Sequence, residues 1–427
     1  MTTNRVRDLL VSTPQGRAGT LTKESRHIFG YTTKDVAREV SLTMPLRAET
    51  YAATPMLPAF SMNLPEGFLL ARIQRAFKHV TLDHMALLAI TGNNQIGRLR
   101  YTVPGAARRG KKAEVGLAML LRTGSRTGLF EHLVATYLES GISGFQPKVM
   151  IPDADKPSAG AVEEKATATT PSLILKAAGD DYPHLPVNEY LCMTAAKRAG
   201  IRVPKFWLSD DQSLFVMERF DVHEDLQLGF EDMAVLMGKN HTDPNFKYSS
   251  SYENIAKAIV AYCGQHADES RARFFEYLVL SVMVRNGDAH LKNFGLLYEH
   301  PHAAQPPRLA PLFDVVTTTV YRYENQRTGV EHTDRTMALK MNKSVSYPSR
   351  EALLEFGRNV CHVQDAADVI QRIADAMSAT LADEGAGMPQ DFVDTMRAEW
   401  DAGRFSVEPP RTFAESSGMA AAAPPSR

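Results

Sequence analysis

The chain is poor in cysteine, in long apolar runs and in net charge. Cys192, Cys263 and Cys361 are the three cysteines in 427 residues, far apart and odd in number. They form neither a disulfide framework nor a zinc-binding spacing, which fits a reducing cytosol. The longest apolar run, "YLVLSVMV" from Tyr277 to Val284, falls well short of the roughly 20 residues of a membrane span. The opening "MTTNRVRDLLVSTPQGRAG" has no apolar centre of signal-peptide length. A soluble, cytoplasmic protein with no membrane partner is therefore expected. Lys and Arg number 48 against 49 Asp and Glu, a net charge of −1. That balance excludes a global basic field for nucleic acid and leaves only a local patch open. The hydrophobic share of 44% is that of a packed globular chain, long enough for two or three units. No internal repeat is present.

Local patterns divide the chain. Residues Arg5 to Val40 read as short strands punctuated by Gly and Pro. "NLPEGFLLARIQRAF" has helical spacing through Phe68, Leu69, Ile73 and Phe77, and "TLDHMALLAI" reads as a second helix capped by Thr81 or Asp83. "GRLRYTV" is a strand, closing an α+β unit near Pro104. "GAARRGKKAE" is a basic, flexible connector, and Leu129 to Glu139 reads as a helix. "GISGFQPKVMIP" then places two close glycines between strand-like ends. "DADKPSAGAVEEKATATTP" lacks large apolar residues and reads as a mobile loop. "SLILKAAG" is a strand, "VNEYLCMTAAKRAG" a helix stopped by Gly200, and "RVPKFWLSDDQSLFVMERFDV" a hairpin. "SRARFFEYLVLSVMVR" carries Phe274, Leu278 and Val282 on one helical stripe. "RLAPLFDVV" reads as strand-like, Arg350 to Trp400 as helical, and the Pro-, Ala- and Ser-rich end from Val407 as disordered.

The order of parts is that of a kinase: a β-rich half with a glycine loop and a strand lysine, a hairpin ending in "VMERF", then a helical half. The expected fold is α+β and two-lobed, with residues 1–105 as an N-terminal subdomain, 106–220 as a nucleotide-binding lobe, 221–405 as a helical catalytic lobe and 406–427 as a tail. "RNGDAHLKNFGLL" lies between two apolar pieces. Phosphoryl transfer needs a carboxylate for the accepting hydroxyl, oxygen ligands for magnesium and a cation on the phosphates. Asp288 and Asn293 stand at the interval of the Asp and Asn in kinase catalytic loops. Asp288 would be the base, Asn293 and Asp314 the metal ligands, Lys176 the phosphate cation and Glu189 its ion-pair partner. Each has a plainer reading: a turn for the Asp–Asn pair, a structural histidine for His290, solvated lysines at 176 and 292, a turn cap for Asp314, and a helix-dipole carboxylate for Glu189. The weight lies in their chain order.

Taken together, "GISGFQPK", "SLILK", "NEYLC", "VMERFD", "NGDAHLKN" and "LAPLFD", with the N-terminal "SLTMPLR…NLPEG…LLAITG", resemble the HipA family of bacterial serine/threonine kinase toxins from type II toxin–antitoxin systems. The resemblance covers the chain to about Trp400. It implies ATP and Mg²⁺ as cofactors, Asp288 as catalytic base, and Asn293 and Asp314 on the metal. It implies a phosphate-side loop of Ser143, Gly144, Phe145, Gln146, Pro147 and Lys148. Lys176 would meet phosphate, His290 would lie by the nucleotide, and Glu218, Arg219 and Phe220 would form the hinge, bonding adenine through their backbone. Self-phosphorylation of a loop serine silences such toxins. Gly141 stands where relatives carry one serine, so Ser143 is the candidate here, with Ser140 nearby. The family implies a HipB-like DNA-binding antitoxin, contact with DNA only through it, and a protein substrate such as an aminoacyl-tRNA synthetase. Other readings of the residues are a small-molecule kinase of the aminoglycoside or choline type, and a nucleotide-binding co-repressor without turnover.

Overall fold

A computed structural model of the chain describes residues 6–66, 70, 73, 74, 77, 82–92, 95–106, 117–123, 166–169, 172–178, 182–223, 226–324 and 331–407. The loop from Ser143 to Lys148, Ser140, Gly141, the helix expected over Leu129 to Glu139 and the tail beyond Val407 lie outside these residues. So do most of the basic connector and most of the helix expected after Pro65.

Alternation of apolar and polar residues builds the N-terminal part. Strands β1 (Asp8–Thr13), β2 (Gly16–Lys23), β3 (His27–Tyr31), β4 (Tyr51–Ala53) and β5 (Arg100–Thr102) pair antiparallel in the order β4-β3-β2-β1-β5. Leu9, Val11, Leu21 and Phe29 point to one face and are fully buried. Helix α1 (His84–Thr91) packs on that face, with the Asp83 side chain accepting from Ala86 N–H as its cap.

The second sheet, β6 (Ala166–Thr169), β7 (Leu173–Ala177), β9 (Leu214–Glu218) and β8 (Phe206–Leu208), is also antiparallel, in the order β6-β7-β9-β8. β6 corrects the expectation of a loop: small Ala and Thr residues suffice for an edge strand laid along β7. Both faces of β7 and β9 are buried. Helix α2 (Leu185–Arg198) packs beside them and ends at Gly200 in a left-handed conformation (φ +73°).

The helical lobe comprises α3 (Tyr252–Cys263), α4 (Ala267–Met283), α5 (Arg350–Asn359), α6 (Ala366–Asp383) and α7 (Gln390–Phe405). One core runs through it from Ile174 and Leu191 to Trp400. A small antiparallel sheet, β10 (Gly229–Asp232), β11 (Gly295–Tyr298) and β12 (Arg308–Leu309), carries the segment beside the cavity described below. "PLFDVV" is not a strand beyond Leu309. Pro311 has no N–H, Leu312 N–H bonds Arg202 O, and the Asn188 side chain pairs with both backbone groups of Thr317. Backbone partners from elsewhere thus replace a neighbouring strand. No helix among the described residues is long and apolar enough to cross a membrane.

Candidate active site

The loop after α4 is held by its own polar groups. Arg285 turns the chain with φ +58°. Asn286 Oδ1 accepts from Asp288 N–H at 3.0 Å, Gly287 N–H donates to Thr318 Oγ1 at 2.8 Å, and Asn293 Nδ2 donates to Asp288 O at 2.7 Å. The five-residue interval therefore closes a loop, and the Asn293 amide nitrogen is spent on it, which leaves its oxygen as the ligand end. Gly287 is required sterically: a Cβ there would lie 2.7 Å from Thr336 O.

Asp288, Asn293, Lys176, Asp314, His290 and Phe220 all line one cavity of about 1150 Å³. Lys176 is buried on β7. Its ammonium is ion-paired with Glu189 of α2, lies 3.2 Å from Asp314 and reaches Phe313 O at 3.4 Å. The Glu189 side chain is wholly buried, so it is a partner for Lys176 rather than a solvated helix-end charge. Asp288 is half-exposed and accepts from the Tyr248 hydroxyl at 3.1 Å. His290 Nε2 lies 3.7 Å from the same Asp288 oxygen. Burial pushes the His290 imidazole below its ordinary value despite the attraction of Asp288, so it is neutral at pH 7.

The other end of the cavity is apolar. Phe220 stacks on Phe313 at 4.6 Å, with Ile174 and Met217 beside them. Of the three hinge residues only Phe220 lines the cavity. Glu218 N–H donates to Lys205 O and Arg219 N–H to Ser172 O, so neither is left for a purine base. The Arg219 guanidinium is turned away and buried against Asp221 and Gln95 O.

Sequence reasoning did not single out Tyr248, or the N-terminal residues Met62, Asn63, Glu66, Gln95 and Ile96, all of which line the same cavity. Tyr248 belongs to no motif. Asn63 and Glu66 belong to "NLPEG", whose Pro65 and Glu66 have the character of a helix start.

A β-rich lobe and a helical lobe meeting at a charged cleft define a kinase-like α+β protein. Residues 9–102 match the family model of the HipA N-terminal domain and residues 140–381 that of the HipA-like C-terminal domain. The chain belongs to the HipA family. A Haemophilus influenzae protein named "Putative kinase" is 29% identical over 241 residues, 51% of this chain and 66% of the relative. The Sinorhizobium fredii "Putative kinase Y4dM" is 28% identical over 198 residues, 43% of this chain and 46% of the relative. The chain thus spans less than two thirds of the length of these curated relatives. The HipA chain solved with HipB and operator DNA from Shewanella oneidensis shares the fold: TM-score 0.66 at 16% identity, covering 93% of this chain and 96% of that one.

Proposed function

We propose that this chain is an ATP-dependent serine/threonine-protein kinase toxin of a type II toxin–antitoxin system. The observation that carries the reading is the convergence of Asp288, Asn293, Asp314 and the Lys176–Glu189 pair on one cavity from separate elements. Asp288 accepts the proton of a Ser or Thr hydroxyl as the hydroxyl oxygen bonds to the γ-phosphorus of ATP, while the bond from that phosphorus to the β–γ bridging oxygen breaks and ADP leaves. Lys176, held by Glu189, binds phosphate oxygens. Phe220, Phe313, Ile174 and Met217 offer an apolar slot of the kind a purine occupies. His290, neutral and buried, lines the cavity beside Asp288.

The donors fit magnesium. Asp314 supplies a carboxylate and Asn293 an amide oxygen, both hard ligands, and Mg²⁺ takes one or two such groups with phosphate and water. Among the described residues no group of three or more His, Cys, Asp or Glu is placed to hold a metal ion, so phosphate and water would supply the remaining ligands. When bound, the ion would neutralise charge on the phosphates.

A HipB-like antitoxin is the proposed partner, with DNA reached only through it; the support is family membership and the complex in which the Shewanella protein was solved. Ser143 is the proposed self-phosphorylation site. Incubating the full chain with MgATP and a cell lysate, then mapping phosphopeptides, tests the proposal. Phosphoserine or phosphothreonine that disappears in Asp288→Asn is expected. Label appearing only in small solutes would favour a small-molecule kinase, and an unchanged yield in Asp288→Asn would refute the assignment of the base.

A further inference from the structure

The kinase-like lobes do not make the cavity alone. Met62, Asn63, Glu66, Gln95 and Ile96 close one side of it, all from the N-terminal domain. That domain is fastened by buried and part-buried polar contacts. Gly97 N–H donates to Asp221 at 2.6 Å, the Arg219 guanidinium to Gln95 O at 2.8 Å, and Leu42 N–H to the Glu231 carboxylate at 2.8 Å. Such contacts set the position of the wall they carry.

From this wall Glu66 reaches Lys292 at 2.5 Å. Lys292 is on the catalytic loop, next to Asn293 and four residues after Asp288, and it lines the cavity. The other cations lining the cavity among the described residues are placed differently. Lys176 is engaged by Glu189 and Asp314 in the β-rich lobe, and Lys247 lies 5.2 Å over the Tyr248 ring. Burial opposes the charge of Glu66, yet the attraction and hydrogen bond of Lys292 outweigh it and hold the carboxyl below its ordinary value. Glu66 is therefore a carboxylate at neutral pH.

We propose that Lys292 is the cation that meets the transferred phosphoryl group, and that Glu66 is the positioning residue that aims it. The N-terminal domain is then a working part of the active site. The inference rests on the kinase reading above. Its physical basis is that charge on the moving phosphoryl oxygens is best met by a donor already in place. A lysine side chain is long and flexible, and a carboxylate fixed in a neighbouring domain removes that freedom before the nucleotide arrives. The alternative is an ordinary surface ion pair. The Glu66 side chain is 43% exposed and Lys292 20%, so the pair is a weak stabiliser of the fold. The two readings therefore separate in turnover and not in melting temperature.

The test uses the full chain with MgATP, in the wild type, Glu66→Gln, Lys292→Met and the double variant. Glu66→Gln should lower kcat about tenfold and Lys292→Met about a hundredfold, with KM for ATP little changed in Glu66→Gln and melting temperature unchanged in both. The double variant should match Lys292→Met alone, because Glu66 acts only through Lys292. A reading independent of turnover is acylation of Lys292 by an N-hydroxysuccinimide ester, followed by mass spectrometry; it should rise severalfold in Glu66→Gln. Wild-type kcat in Glu66→Gln, or losses that multiply in the double variant, would overturn the inference and leave the kinase reading standing. A wild type that transfers no phosphate would overturn both.

Discussion

Removing the Glu189 carboxylate tests the buried charge pair that holds Lys176, the proposed phosphate cation. The Glu189 side chain is 0% exposed and that of Lys176 is 6%. Glu189→Ala leaves an ammonium inside the β-rich lobe with Asp314, 3.2 Å away and 22% exposed, as its nearest anion. Deleting one member of a buried pair costs about 3–5 kcal/mol. Asp314 compensates in part, which sets the expected loss at the lower end, about 3 kcal/mol. Lys176 then turns towards Asp314 and occupies a carboxylate proposed to hold magnesium, so nucleotide affinity falls as well. Replacing both members by apolar residues of similar size, Lys176→Met with Glu189→Leu, removes the stranded charge. That variant should recover to within about 1 kcal/mol of the wild type, while nucleotide binding stays lost. Urea unfolding followed by fluorescence is suitable, since the two tryptophans report separately: Trp207 on β8 and the fully buried Trp400 on α7. A Glu189→Ala chain as stable as the wild type, or a double variant as unstable as the single one, would refute the reasoning.

Other outcomes follow from the same geometry. Asp288→Asn should lower phosphoryl transfer by about 10²–10⁴-fold with an unchanged melting temperature, as expected for loss of a general base; kinetics and calorimetry on one preparation decide it. Gly287→Ala should destabilise the chain by about 1–3 kcal/mol and reduce transfer, because its methyl would press on Thr336 O and on Thr318 Oγ1, 2.9 Å away. Asp232 is buried at the start of a short helix, where it accepts from Val235 N–H at 2.8 Å, and burial pushes its carboxyl from 3.8 up to about 6. The folded state then binds more protons than the unfolded state between these values, so this group lowers stability as pH rises from about 4 to about 6. Asp232→Asn keeps the cap oxygen; relative to the wild type it should be neutral near pH 4 and stabilising by about 3 kcal/mol above pH 6. Urea midpoints at pH 4.5 and 7.5 measure this, and a difference that stays constant with pH would contradict it.

Much of the fold was legible because it depends on local periodicity. The buried stripe of Phe274, Leu278 and Val282 requires a helix, and the alternation in "DLLVST" requires a strand with one buried face. The Asp83 cap and the Gly200 stop are likewise local. The interval between Asp288 and Asn293 was legible too, since Asn293 closes on Asp288 within the same short loop. "PLFDVV" was misread for the converse reason. Its apolar character suits a strand, but Leu312 finds its backbone partner at Arg202 and the adjoining Thr317 at Asn188, which nothing near them in the chain announces.

By itself the sequence determined which segments become helix or strand, which side chains carry oxygen donors and cations, and the family these belong to. The tertiary structure alone decided which of them meet. Lys176 is brought to Asp314 by packing of the β-rich lobe on the helical lobe, Tyr248 is set on Asp288, and Glu66 is carried to Lys292 across 226 positions. Periodicity specifies the face that an element buries. It does not specify the partner against which that face is buried, and a site assembled from several elements is a consequence of the partner.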